Sequence, residues 1–230
     1  MTEQFFDPSS GHQDGPVPQA GDPENRALWL DRLAIVARME VAAAARVGDI
    51  GLPDLEQECI ALARRYAEEE PLPPPSVGFD RPANLYLVSE IYQAGGHRVL
   101  LEQMISSRPG ERHIVVFSGA LSRTLDYGIE RMRQIGAFPV FPDPQSTLHD
   151  RYDWLRRKLA CYAAQRLILF HHPEDALATA AAYELADRYG RRLYVVRHSD
   201  TRPTLGAEIA SATHVAIRDA QADLIREQYP

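Results

Sequence analysis

Lysine is almost absent from this chain: its 25 basic side chains are 24 arginines and Lys158. Schiff-base chemistry therefore has one candidate, and its setting in Arg156-Arg157-Lys158 on a predicted helix reads as a solvated face. Cysteine is scarce too. Cys59 and Cys161 each sit in an apolar, helix-like context, which points to packed, reduced thiols and excludes a disulfide framework. Apolar runs such as Leu167–Phe170 and Ala176–Ala182 fall far short of the roughly 20 residues that a membrane-spanning helix needs. The first twenty-odd residues carry Pro8, Pro16, Pro18 and Pro23 and no Lys or Arg before Arg26, so they lack the basic start and apolar centre of a secretory signal. These absences set two expectations: no membrane span, and a cytoplasmic address.

An excess of positive charge is also missing. Residues 1–82 hold 15 acidic and 7 basic side chains, and residues 83–230 hold 17 and 18, for a net charge of −7. Neutralising nucleic-acid phosphates takes a basic surface, so no nucleic-acid partner is expected. What remains is 230 residues, 45% hydrophobic and 25% charged, enough to bury a core of one domain plus extensions.

Along the chain, residues 1–23 mix Pro, Gly, Ser, Gln and Asp without apolar periodicity and read as a disordered tail. Apolar positions from Ala27 to Val47 recur at helical spacing, with Gly48 as a stop. A second helix opens at Leu52-Pro53-Asp54, where Pro suits the first turn and Asp54, Glu56 and Glu58 complement the helix dipole. Residues 24–70 thus form a helical hairpin. The run Pro71-Leu72-Pro73-Pro74-Pro75 makes 71–82 an extended linker. From residue 83 to 230, short β-rich runs alternate with longer helical ones. Strands are expected at Asn84–Ser89, His113–Ser118, Ala137–Phe141, Leu167–His171, Leu193–Arg197 and His214–Ile217. Between and after them lie helices at His97–Ser106, Leu121–Ile135, Leu148–Ala164, Glu174–Tyr189 and Asp219–Gln228. Strand starts about 25 residues apart leave room for the crossover helix of a βαβ unit. The expected fold class is α/β, a Rossmann-like doubly wound parallel sheet preceded by the hairpin.

Ligands of such sheets bind outside the carboxyl ends of the strands, so residues just after each strand carry the chemistry. After the first comes Tyr92-Gln93-Ala94-Gly95-Gly96-His97, where Gly95 and Gly96 allow close backbone approach. A plain tight turn explains them equally well, and with no GxGxxG or Walker A spacing no dinucleotide site follows. After the fourth comes His171-His172-Pro173-Glu174-Asp175. Helix capping accounts for the two acids, but one of two adjacent histidines must face the cleft. After the fifth come His198-Ser199-Asp200 and then Thr204-Leu205-Gly206, whose glycine can let the chain pass beneath a pocket. If those strands are neighbours, His171, His172, Asp175, His198 and Asp200 converge. Such a set can ligate a divalent metal, hydrogen-bond sugar hydroxyls or supply a general base. Ser118-Gly119 and Asp143 read as ordinary loop residues.

Taken together, these segments resemble the N-terminal half of a bacterial GT-B glycosyltransferase. The family's opening strand, Gly-Gly-His turn and helix are matched by Leu85 to Arg98. Its strand ending in His before a Pro-acid helix start is matched by Leu167 to Asp175. Its His-Ala-Asp-His segment and Leu-Gly turn are matched by Val196 to Asp200 and Thr204-Leu205-Gly206, the likeness spanning about 83–226. Thr201 replaces the family's second His, and Pro203-Thr204 replaces its aromatic pair. The resemblance implies an acceptor-side domain whose co-substrate is a nucleotide sugar, with no resident cofactor or metal. In it His97, His198 and Asp200 would be catalytic, and Gly95, Gly96, His171, His172, Asp175 and Gly206 would bind substrate. The family's donor-binding domain has no counterpart before Pro230, so the expectation is half an enzyme, completed by a protein partner or another domain. Two rival expectations stand beside it. His171 to Val196 also resembles the opening motif of DHH-type, manganese-dependent phosphoesterases. The hairpin alternatively suits a noncatalytic accessory subunit or a homo-oligomer.

Overall fold

Six short runs of aliphatic and aromatic residues form one all-parallel sheet in the computed structural model, which describes residues 23–44, 51–91, 96–119, 125–197, 203–207 and 209–216. The strands are β1 (Ala83–Val88), β2 (Arg112–Phe117), β3 (Ala137–Val140), β4 (Arg166–Phe170), β5 (Arg192–Arg197) and β6 (Thr213–Ala216). Their spatial order is β3-β2-β1-β4-β5-β6, the doubly wound Rossmann order. Each begins within one residue of its expected start. In register, Leu85 lies between Ile114 of β2 and Leu167 of β4, which places β1 at the centre. The winding reverses between β1 and β4, so the crevice for a ligand opens where those two strands end.

Successive side chains of a strand point to opposite faces, and both faces of this sheet are covered. On one, Leu85, Leu87, Val116, Leu167, Leu169 and Val195 join a single core with α1 (Pro23–Ala44), α2 (Pro53–Glu69), α5 (Leu148–Cys161) and α6 (Ala176–Tyr189). On the other, Tyr86, Val88, Phe117 and Phe170 meet Leu101 and Ile105 of α3 (Gly96–Ser106) and Met132 of α4 (Leu125–Gln134). Every residue of β1 is buried, the mark of a strand covered on both sides.

The alanines of α6 have a positional reason. Residues Ala176 to Ala182 are all buried, because α6 lies between the sheet and α2. Small side chains permit that double contact, and a helix apolar all round belongs inside. The paired N-terminal helices share this core with the sheet through Leu30, Leu33, Leu62 and Tyr66.

The proline-rich stretch is held through its carbonyls, since proline has no N–H to offer. Arg188 donates to Leu72 O (3.1 Å) and the Tyr189 hydroxyl donates to Pro73 O (2.7 Å). Just beyond, the amides of Ser76 and Val77 donate to Cys161 O, and Ala163 N donates to Val77 O. This pairing explains why α5 stops at Cys161, three residues short of its expected end: the last carbonyl is taken by another segment. Helix α6 likewise starts two residues later than expected, because Asp175 is its N-cap and not part of its first turn. The helix expected at 219–228 lies outside the described residues. Among those described, no helix is long and apolar enough to cross a membrane. Cys59 and Cys161 are both free thiols, and burial raises the pKa of each.

Candidate functional site

Three strand ends are tied together at the switch point by one carboxylate. Asp175 accepts a hydrogen bond from Ala178 N on Oδ1 (3.0 Å), capping α6. Its Oδ2 accepts the hydroxyl of Ser89, just after β1, at 2.5 Å, and that of Ser118, just after β2. Ser89 Oγ in turn accepts from the backbone N–H of His172, after β4 (2.8 Å). Backbone bonds reinforce the junction, with Ser118 N donating to Val88 O and Gly119 N to Ser89 O, both at 2.9 Å. A Cβ on Gly119 would run into that Ser89 carbonyl, so glycine is required by the close approach of the two loops. Asp175 is thus a tie between loops, its oxygens engaged by three donors.

Above the junction lies a cleft of about 370 Å³. Glu90 and His172 supply one wall, and their side chains approach to 3.6 Å between Oε1 and Nδ1. Arg38 of α1 and Arg151 of α5 also line the cleft, and Ala34, Leu148 and Leu177 give it apolar floor. Glu174 also borders the opening. A carboxylate and an imidazole accept or donate to ligand hydroxyls, and the apolar floor suits the C–H face of a ring.

The two histidines after β4 diverge, following strand alternation. His172 faces the cleft. His171 is fully buried, with Nε2 3.2 Å from the hydroxyl of Thr179 in α6, so it supports the helix from within. His97, in the first turn of α3, stacks flat on Phe170 with ring centroids 4.3 Å apart, and its ring lies 5.8 Å from that of His172. Gly96 opens α3 and is exposed, with nothing within 4 Å of the place a Cβ would take.

Among the expected site residues, the structure therefore gathers Gly96, His97, His172 and Asp175 about the β1–β4 switch. It sends His171 into the core, and Gly206 with it. Gly206 adopts φ +90°, and its Cβ would sit 3.2 Å from Leu169 Cδ2, so this glycine serves a turn packed on β4 and β5. Gly95, His198 and Asp200 lie outside the described residues. Among those described, no group of three or more His, Cys, Asp or Glu is placed to hold a metal ion. Sequence reasoning missed Ser89, Glu90, Arg38 and Arg151, and took Ser118-Gly119 for ordinary loop. Ser89 and Ser118 could have been found as the first residues after their strands, once those strands were known to be neighbours.

No family model and no curated protein matches the chain. Four chains among solved structures do. One is the signal recognition particle 54 kDa protein from Aeropyrum pernix K1 in complex with GDP, 14% identical, with a TM-score of 0.30 over 75% of this chain and 44% of that one. This chain thus spans less than half the length of that protein.

Proposed function

We propose that the chain is the acceptor-side half of a GT-B glycosyltransferase, holding a sugar in the cleft at the β1–β4 switch point. The observation that carries this reading is the opposition of Glu90 and His172 at 3.6 Å, from the two strands where the winding reverses, over an apolar floor. Two of the three sequence segments that resemble the family, Leu85 to Arg98 and Leu167 to Asp175, contain most of β1 with the start of α3, and β4 with its loop to α6. A nucleotide sugar is the co-substrate, held by a donor-binding domain on this or another polypeptide that closes over the cleft. In the transfer, an acceptor hydroxyl oxygen forms the new bond to the anomeric carbon. The bond from that carbon to the nucleotide's phosphate oxygen breaks, and the nucleotide leaves with the electron pair. The hydroxyl proton passes to a base, the role proposed for His97, whose ring lies beside that of His172. His198 and Asp200 complete the proposed catalytic set. The cytoplasm is the proposed compartment, in keeping with two unpaired thiols.

The test is an NMR titration of the isotopically labelled full chain with hexoses and nucleotide sugars. Saturable shifts centred on His172 and Gly96 are expected, abolished by Glu90→Ala and by Gly96→Val. The glycine substitution separates binding from folding, because a Cβ there meets nothing within 4 Å in the free protein. Absence of shifts with every sugar and nucleotide sugar overturns the reading.

A further inference from the structure

We infer that the Arg38–Arg151 wall of the cleft is a binding site for an oxyanion carried by the ligand, so that the sugar held there is an acidic one, bearing a carboxylate or a phosphate. The inference deepens the sugar-binding reading and rests on it for the identity of the ligand's neutral part.

Two features of the wall carry it. Arg151 gives one weak bond, from a terminal nitrogen to Ser146 O at 3.4 Å. Its Nε is shielded from solvent and has no acceptor among the described residues. A buried guanidinium donor without an acceptor is costly, and a ligand oxyanion would relieve that cost. Arg38 spends its Nε on Ala34 O at 3.1 Å in its own helix, and its guanidinium is exposed. Neither arginine has a carboxylate within ion-pairing distance among the described residues, whereas Arg156 and Arg157, on the same helix as Arg151, each do.

The acidic groups of the cleft stand elsewhere. Asp175 is engaged by three donors. Glu90 lies against His172. Glu174 lies on the loop that follows β4. The cations of the cleft therefore come from α1 and α5 and its carboxylates from the strand-end loops, with apolar Ala34, Leu148 and Leu177 also in the lining. A ring with an anionic substituent at one end and hydroxyls at the other matches that division. Arginine suits either anion, because its planar fork donates to carboxylate and phosphate oxygens alike.

The experiment titrates the full chain with glucose, glucuronate, glucose 6-phosphate and inorganic phosphate at low and high salt. Glucuronate or glucose 6-phosphate should bind about tenfold or more tightly than glucose, through charge-assisted hydrogen bonds, and the one that binds tighter names the anion. That preference should shrink at high salt and vanish in Arg38→Gln, a substitution at an exposed position, as well as in Arg151→Gln. Phosphate binding that needs the arginines, with no sugar bound, supports the anion site and overturns the sugar reading. Glucose bound as tightly as both acidic sugars, or a preference retained in both variants, overturns the anion site and leaves the sugar reading standing.

Discussion

The Ser89 hydroxyl donates a 2.5 Å hydrogen bond to Asp175, 86 residues further along the chain, and so joins the end of β1 to the start of α6. Because Ser118 donates to the same carboxylate oxygen, one side chain fixes the separation of three loops around the cleft. The network stands in a partly buried setting, where a lost acceptor leaves hydroxyls and an amide without partners.

Asp175→Ala removes the helix cap and the acceptor for both serines at once. We expect a loss of about 2–4 kcal/mol in unfolding free energy, combining a cap with two partly buried hydrogen bonds. Asp175→Asn keeps one carbonyl oxygen and should cost less than Ala. Urea denaturation followed by circular dichroism measures both. Equal stability of Ala and wild type would mean that the three loops are held by backbone bonds alone.

Two glycines should behave oppositely when given a methyl group. Gly119→Ala drives a Cβ into the Ser89 carbonyl that accepts the Gly119 N–H, so one loop must shift, at an expected cost of about 1–3 kcal/mol. Gly96→Ala meets open space and should leave the melting temperature unchanged. Thermal unfolding of the two variants beside wild type decides it, and a destabilised Gly96→Ala would show that α3 needs glycine for its own sake.

The contrast between those glycines also marks how far the sequence could be read. Short β-rich runs set between longer helical ones located all six strands to within a residue, because burial on both faces forces apolar side chains into strands such as β1. Strand order was another matter. Nothing in the local pattern says that β1 lies between β2 and β4, and without that neighbour relation Ser89, Ser118 and Gly119 look like any loop residues. The same gap explains His171. Adjacent residues at a strand end must face opposite ways, so one histidine had to face the cleft, but parity alone did not say which. Arg38 was invisible for a further reason: it comes from a hairpin read as a separate appendage, whereas α1 and α2 share the core of the sheet.

Stability toward acid should depend on Glu111, at the opposite end of the sheet from the cleft. Its Oε2 accepts from Asn84 Nδ2 (2.5 Å) and from Arg166 (2.9 Å), and these donors hold its carboxyl below the ordinary value of 4.5, the Asn84 hydrogen bond most of all. A carboxyl depressed in the folded state contributes stability that is fully present above its unfolded pKa and is lost as pH falls through the folded one. Wild-type stability should therefore decline from about pH 4.5 downward through this group, with Glu111→Gln showing a shallower decline over that window. Unfolding free energies measured between pH 7 and pH 3 test this, and parallel curves for the two proteins would remove Glu111 from the account.

A buried ion pair supplies the last test. Arg156 donates from Nε to Glu184 Oε2 (2.8 Å) and from a terminal nitrogen to Oε1 (2.6 Å), and both side chains are almost wholly excluded from solvent. The same terminal nitrogen reaches Glu70 O at 3.0 Å, while the guanidinium lies over the Tyr66 ring at 5.0 Å. One arginine of α5 thus meets α6 and the C-terminal end of α2. Glu184→Gln leaves the buried guanidinium with only the more distant Asp153 carboxylate, 3.7 Å from its other terminal nitrogen, and should cost about 3 kcal/mol. Replacing both partners, Arg156→Met with Glu184→Leu, removes the need to desolvate either charge and should recover most of that loss. A double variant as unstable as the single one would mean that Arg156 acts mainly through Glu70 O and Tyr66, contacts that the second substitution cannot restore.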